Sequence, residues 1–268
     1  MFKKDKLRKM LYSLFNIVLL TYVLLVIIAL LLSNRMMFPA PSSSYEKEDG
    51  LVRIPSGNGS IVARYYYKPD SRWTILYSHG NHEDLGSIDP LLQEFHRHGY
   101  SILAYDYRGY GLSTGTASES NSYEDVLAAY KWLVKEKGVP PSHVVAMGYS
   151  IGGGPTSWLA ENRAVGAVIL QATFVSAFRV VTRIPLLPFD RFPNYRRLKN
   201  IFAPILFIHG RRDMIVPFTH GKTLSSYATS PARVFWIDGA GHNDLVEVAG
   251  EQYWEAIETF LNEVAANH

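Results

Sequence analysis

The chain has 268 residues, 47% of them hydrophobic and 19% charged, with a formal net charge of +3 and no cysteine. That composition suits one globular domain with a sizeable core, and it excludes a thiol nucleophile, a disulfide framework and thiolate metal sites. The positive balance does not signal a nucleic-acid partner. Lys3, Lys4, Lys6, Arg8 and Lys9 face only Asp5 in the first ten residues, and the remainder holds 22 Lys and Arg against 23 Asp and Glu. The excess is a basic tip over residues 1–10, not a basic face on the domain.

Residues 11–32 form an uncharged run whose only clearly polar members are Ser13, Asn16 and Thr21. As a helix it would span about 33 Å, which matches a hydrocarbon core of ~30 Å. The sequence after it, Ser33-Asn34-Arg35-Met36-Met37-Phe38-Pro39, offers no small-x-small cleavage site, so an uncleaved anchor is the expectation and not a signal peptide. Five positive charges before the span and only Arg35 shortly after it predict a cytoplasmic N-terminus and a periplasmic or lumenal domain. Residues 33–49, with Pro39, Pro41 and three consecutive serines, read as a tether.

From residue 50 to 268 strand-length apolar runs alternate with helical patterns. Leu51–Pro55 and Ile61–Tyr67, separated by Ser56-Gly57-Asn58-Gly59, read as an antiparallel hairpin. Six further runs follow at Trp73–Ser78, Tyr100–Tyr105, Val144–Gly148, Ala167–Gln171, Ile205–His209 and Arg233–Ile237. Helical stretches are clearest at 122–137, 151–161 and 251–264. The alternation predicts an α/β fold: a mostly parallel sheet of about eight strands covered by helices on both faces.

Gly148-Tyr149-Ser150-Ile151-Gly152 matches G-x-S-x-G. The pattern is modest alone, but here a buried-strand run ends at it and a helical segment opens after it. That is the setting in which a serine is held on a sharp turn, with glycines where a side chain would clash and a helix N-terminus offering positive potential. Ser150 is the expected nucleophile. The bland alternative is a Gly/Ser turn that merely starts a helix.

A serine hydroxyl needs a base to take its proton and an acid to orient that base. In a strand–turn–helix serine enzyme the acid, then the histidine, follow the nucleophile along the chain. His242 lies in Gly239-Ala240-Gly241-His242-Asn243, directly after the last strand run, and is the expected base. His209 sits within an apolar run and reads as packed, and His220 begins a helix. Asp213 follows the Ile205–His209 run and is the expected acid. Its rival Asp238, four residues before His242, reads as a turn residue.

The expected oxyanion donors are the backbone N–H groups of Ile151 and Asn81, the latter in His79-Gly80-Asn81-His82 after the strand Trp73–Ser78. His79 and His82 lack the spacing of a helical zinc motif, so no metal is expected. His96 and His98, two apart on a helix, do not face each other. Asp106-Tyr107-Arg108-Gly109-Tyr110-Gly111 reads as a structural loop held by an Asp–Arg interaction.

The His79-Gly80-Asn81 loop, the 106–111 segment, the 148–153 elbow, His209-Gly210 through Asp213 with Val216-Pro217, and Gly241-His242 together resemble membrane-anchored ABHD-type α/β hydrolases, from about residue 45 to the C-terminus. The resemblance implies an α/β-hydrolase fold and a triad hydrolase with neither metal nor organic cofactor. Some such relatives remove fatty acyl groups from proteins. Serine aminopeptidase-like enzymes share these motifs but typically carry a large cap, and the 33 residues between Gln171 and Ile205 leave room only for a short one. That insertion is apolar and proline-broken, and it reads either as an acyl-chain groove beside the site or as ordinary packing on the sheet.

The leading expectation is a membrane-anchored esterase or thioesterase acting through an acyl-serine, on a small-molecule or acylated substrate, with the lipid bilayer as partner. The alternatives are amide or peptide hydrolysis and a non-catalytic binding module of the same fold.

Overall fold

Residues such as Val144-Val145-Ala146-Met147 carry apolar side chains at every position because both faces of their strand are covered. In the computed structural model, which describes residues 2–46 and 50–267, these runs assemble into one eight-stranded sheet. In chain order the elements are α1 (Phe2–Met37), β1 (Leu51–Ser56), β2 (Gly59–Tyr66), β3 (Thr74–Ser78), α2 (Leu85–Arg97), β4 (Ser101–Tyr105), α3 (Glu119–Lys131) and β5 (Val144–Tyr149). They continue with α4 (Gly153–Asn162), β6 (Ala167–Gln171), α5 (Ala177–Thr182), α6 (Asn194–Arg197), β7 (Ile205–Gly210), α7 (Thr219–Ser225), β8 (Ala232–Ile237), α8 (Leu245–Ala249) and α9 (Glu251–Ala266).

The strand order is β1-β2-β4-β3-β5-β6-β7-β8. The β1–β2 hairpin joins β4 antiparallel, and every other pairing is parallel. Alternating side chains divide the core. Ile75, Tyr77, Val145 and Met147 pack on one face beneath α2 and α9, with Phe95, Trp254 and Phe260. Leu76, Leu103 and Ala146 pack on the other beneath α3 and α4, with Val126, Leu133 and Leu159. α2 is opened by a capping box in which Asp84 and Ser87 bond each other's backbone, and it buries Leu85, Ile88, Leu92 and Phe95 at helical spacing.

Two sequence expectations are corrected. The tether does not begin at Ser33, because α1 continues through Met37 and stops where Pro39 restricts Phe38. Residues 38–46 are docked and not free. Phe38 is buried edge-to-face against Tyr107, Tyr110 and Phe192, the Ser44 N–H donates to Asp84 at 2.6 Å, and the Tyr45 hydroxyl donates to Asp106. The aromatic residues were the overlooked signal in an otherwise Ser/Pro-rich stretch; its last part, residues 47–49, lies outside the described residues.

The 106–111 loop is structural, but not through Asp106 and Arg108. Buried Arg108 pairs with Asp125 and Glu124, each at 2.7 Å, and also donates to Asn58 and the Asn121 carbonyl. A buried guanidinium needs every donor satisfied, and one aspartate two residues away cannot supply that.

Candidate active site

β5 delivers Ser150 at φ +54, left-handed backbone that a residue with a side chain rarely adopts. A short 3-10 turn over Ser150–Gly152 then leads into α4. The glycines serve close approach: a Cβ at Gly152 would meet the backbone carbonyl of Ser78, and one at Gly148 the carbonyl of Gly152. The Thr173 hydroxyl donates to the Ser150 carbonyl at 2.8 Å and ties the strained turn to the loop after β6.

The loop after β8 carries His242, whose Nε2 lies 3.0 Å from Ser150 Oγ. Its Nδ1 lies 2.7 Å from Asp213 Oδ2, on the loop after β7. All three side chains are buried, so their mutual bonds are little screened by water. Asp238 is 90% exposed and pairs with Arg211. The structure therefore brings Ser150, His242 and Asp213 together and leaves Asp238 outside.

Asp213 Oδ1 accepts the N–H groups of Ile215 and Val216 at 2.9 and 2.7 Å. Burial disfavours its charge, but bonds from His209, His242 and the backbone outweigh that and hold the carboxyl well below its ordinary range. An ionised Asp213 accepts from His242 Nδ1–H, which leaves Nε2 free to accept the Ser150 proton.

His209, which the sequence marks only as a packed strand residue, stands 3.3 Å from Asp213 Oδ2 while donating from the same Nε2 to the Val216 carbonyl at 2.9 Å. It fixes the outer side of the Asp213 carboxylate. Tyr149 does the same for the His242 loop, its hydroxyl bonding Asn243 and the His242 carbonyl. A histidine four residues before the acid is the only trace either support left in the sequence.

Asn81 lines a cavity of about 460 Å³ that opens beside Ser150 and His242, and Ile151 follows the serine directly. The peptide that carries the Asn81 N–H also carries the Gly80 carbonyl, which accepts from His79 Nδ1 at 2.7 Å. His79 Nε2 faces Asp106 Oδ1 at 3.4 Å, and Asp106 in turn accepts from Tyr45 and the Leu85 N–H. Burial lowers the proton affinity of His79, but Asp106, Glu83 and the Gly80 carbonyl reverse the sign and raise it. Glu83, pushed up by burial, accepts the Gly80 N–H at 2.6 Å and also lines the cavity.

Apart from Ser150 and His242, the cavity wall includes Tyr77, Tyr149, Gln171, Ile215 and Leu245, but no residue between Ala172 and Ile205. The apolar insertion is therefore not the pocket wall that an acyl groove at this site requires. Phe174 and Phe192 turn into the core instead. Among the described residues no group of three or more His, Asp or Glu converges as a metal site. His82 borders the cavity, His98 stacks on Trp254, and His96 contacts the Tyr67 carbonyl.

An eight-stranded, mostly parallel sheet with a serine on the turn after its central β5 and a histidine after its last strand defines an α/β hydrolase. The family described as "Serine aminopeptidase, S33" matches residues 69–188. Alpha/beta hydrolase domain-containing protein 17B of Xenopus tropicalis is 37% identical over 84% of this chain and 80% of its own, and the Homo sapiens protein of that name is 36% identical over the same shares. The chain belongs to this family of ABHD-type α/β hydrolases. An esterase of Pyrococcus furiosus superposes with a TM-score of 0.70 at 17% identity, over 84% of this chain and 97% of its own. Est1E of Butyrivibrio proteoclasticus gives 0.65 at 18%, over 81% and 99%.

Proposed function

We propose that the chain is a membrane-anchored serine hydrolase that cleaves carboxylic ester or thioester bonds. The observation that carries this reading is the continuous bonding from Asp213 through His242 to Ser150 Oγ, at 2.7 and 3.0 Å, at the mouth of a cavity. His242 Nε2 takes the Ser150 proton as Oγ attacks the acyl carbon. The tetrahedral oxyanion is held by the N–H groups of Asn81 and Ile151. Collapse expels the alcohol or thiol with the proton from His242, and water activated by the same nitrogen releases the acid and restores Ser150.

An uncharged 11–32 run at the end of a basic tip supports anchoring, with the domain on the non-cytoplasmic side. Anchoring favours acyl-lipid or S-acyl substrates, a preference the cavity lining does not itself supply.

The test is hydrolysis of p-nitrophenyl esters from acetate to palmitate by the full chain in detergent, alongside labelling with a fluorophosphonate. The expected outcome is stoichiometric labelling and turnover that depends on chain length. Labelling with no ester turnover favours amide hydrolysis, the chemistry in the matching family's description. Absence of both leaves a binding module.

The His79–Asp106 contact yields a sharper expectation. Asp106→Asn weakens the hold on the His79 ring and hence on the peptide bearing the Asn81 N–H. Deleting a full oxyanion donor costs about 10²–10³ in kcat, and a loosened one should cost roughly 10-fold or more. The loss should appear in kcat with KM nearly unchanged, since the oxyanion exists only beyond the ground state. A change in KM alone, with kcat retained, would remove His79 from this role.

A further inference from the structure

The middle of the insertion between β6 and β7 leaves three large apolar side chains outside the protein, although Phe174 and Phe192 at its ends are buried. Val181 is 83% exposed, Ile184 57% and Leu186 53%. A soluble surface rarely tolerates such a cluster without a partner. The position of the cluster identifies the partner. The Tyr22 hydroxyl, within the apolar part of α1, donates to the Leu186 carbonyl at 3.1 Å, and Arg191 at the far end of the insertion reaches the Ser33 hydroxyl at 3.2 Å. Tyr22, Val26, Ala29 and Ser33 lie on one helical face; Val26 and Ala29 are partly covered and Ser33 is buried. The insertion thus runs along the helix for eleven residues, about 16 Å from Ser33 to Tyr22.

We propose that residues 181–189 form a wedge that enters the hydrocarbon of the leaflet next to the catalytic domain, seated against α1. This rests on α1 being a membrane anchor. If residues 11–32 span the bilayer, a segment bonded to Tyr22 lies well inside the apolar layer and cannot face water.

Part of the segment's backbone suits that environment. Backbone polar groups in lipid must be satisfied internally. The Leu186 carbonyl takes the Tyr22 hydroxyl, the Ile184 carbonyl takes the Thr182 hydroxyl at 2.7 Å, and Pro185 and Pro188 have no N–H to satisfy. Arg183 is the only charged residue between 180 and 189, and its long apolar stem lets the guanidinium extend toward the headgroups. Arg179 and Arg191, nearer the domain, are neutralised by Asp190 and Glu119. Because the insertion follows β6 at the same end of the sheet as Ser150, the wedge holds the reaction end of the fold against the bilayer. Substrates carrying an acyl chain would then be drawn from the leaflet and not from bulk water.

The absence of native cysteine makes a depth measurement direct. Single cysteines replace Val181, Leu186, Leu19 in the anchor, and Asn162 at the end of α4 remote from Ser150. Each full-length variant carries a bimane label in phosphatidylcholine nanodiscs containing acyl-chain spin-labelled lipid. The expected result is quenching at 181 and 186 within about twofold of that at 19, and about fivefold or more above that at 162, given a ~30 Å hydrocarbon layer. Deep quenching at 19 with none at 181 and 186 overturns the wedge and leaves the anchor standing. No quenching at 19 overturns the anchor, and the wedge with it.

Discussion

Ser150→Ala is expected to lower kcat for p-nitrophenyl butyrate by a factor on the order of 10⁴–10⁶, the range for losing a serine nucleophile that acts as a unit with its base. The substitution is clean in this setting. Ser150 already holds a Cβ at φ +54, so alanine adds no new backbone strain, and the elbow's tie from Thr173 goes to a backbone carbonyl that remains. What disappears is Oγ and its 3.0 Å bond with His242 Nε2. The proposed oxyanion donors, Asn81 and Ile151, survive and should leave a small residual rate above water. KM should change little, because the hydroxyl contributes to the reaction more than to ground-state binding. Circular dichroism and Tm confirm the fold, and single-turnover kinetics measure the loss. A variant retaining more than about a tenth of wild-type kcat would mean that another group attacks the ester, contrary to the role assigned by triad logic.

How far the sequence disclosed this arrangement depends on whether the cause was local. The strands were legible because both faces are buried, so Val144–Met147 and Ile205–Ile208 read as unbroken apolar runs. The serine elbow was legible because close backbone approach demands glycine at fixed offsets, at Gly148 and Gly152. The choice of Asp213 and His242 as candidates needed only chain order and strand ends, and the structure brings those two side chains within bonding reach of each other.

Features created by distant packing were not legible. Nothing next to Arg108 in sequence indicates that its partners are Asp125 and Glu124 on α3. Asp106 was assigned to the wrong partner because its true neighbours, Tyr45, His79 and Leu85, come from three separate segments. The insertion leaves two readings open in the sequence for a different reason. Its apolar character is plain in the sequence, but hydrophobicity is non-directional and does not say whether the covering surface is a pocket, a core or a second apolar element. Tyr22 and Ser33, far earlier in the chain, decide that question.

Asp213→Asn should reduce kcat by roughly 10⁴-fold, the scale seen when a triad acid becomes a neutral amide. The hydrogen bonds around this residue dictate why. Ile215 and Val216 direct their N–H groups at Oδ1, so an asparagine must place its own oxygen there. Its NH₂ then occupies the Oδ2 position, facing His242 Nδ1 at 2.7 Å and the His209 Nε2–H at 3.3 Å. Two donors cannot face each other, so His242 is driven to the tautomer with its proton on Nε2, where it can no longer accept the proton of Ser150.

Stability should fall as well, with a characteristic pH dependence. The Asp213 carboxyl is held below its unfolded value of about 3.9. The stability it contributes is therefore complete above that pH and fades as the pH falls through the folded value. The Tm gap between wild type and Asp213→Asn should be widest near neutral pH and should narrow below about pH 4. Asp238→Asn is the matched control: this residue is 90% exposed and pairs with Arg211 at the surface, so both kcat and Tm should stay close to wild type. If Asp238→Asn abolished turnover while Asp213→Asn did not, the acid of the proposed triad would have to be reassigned, and the bond between Asp213 and His242 would be structural alone.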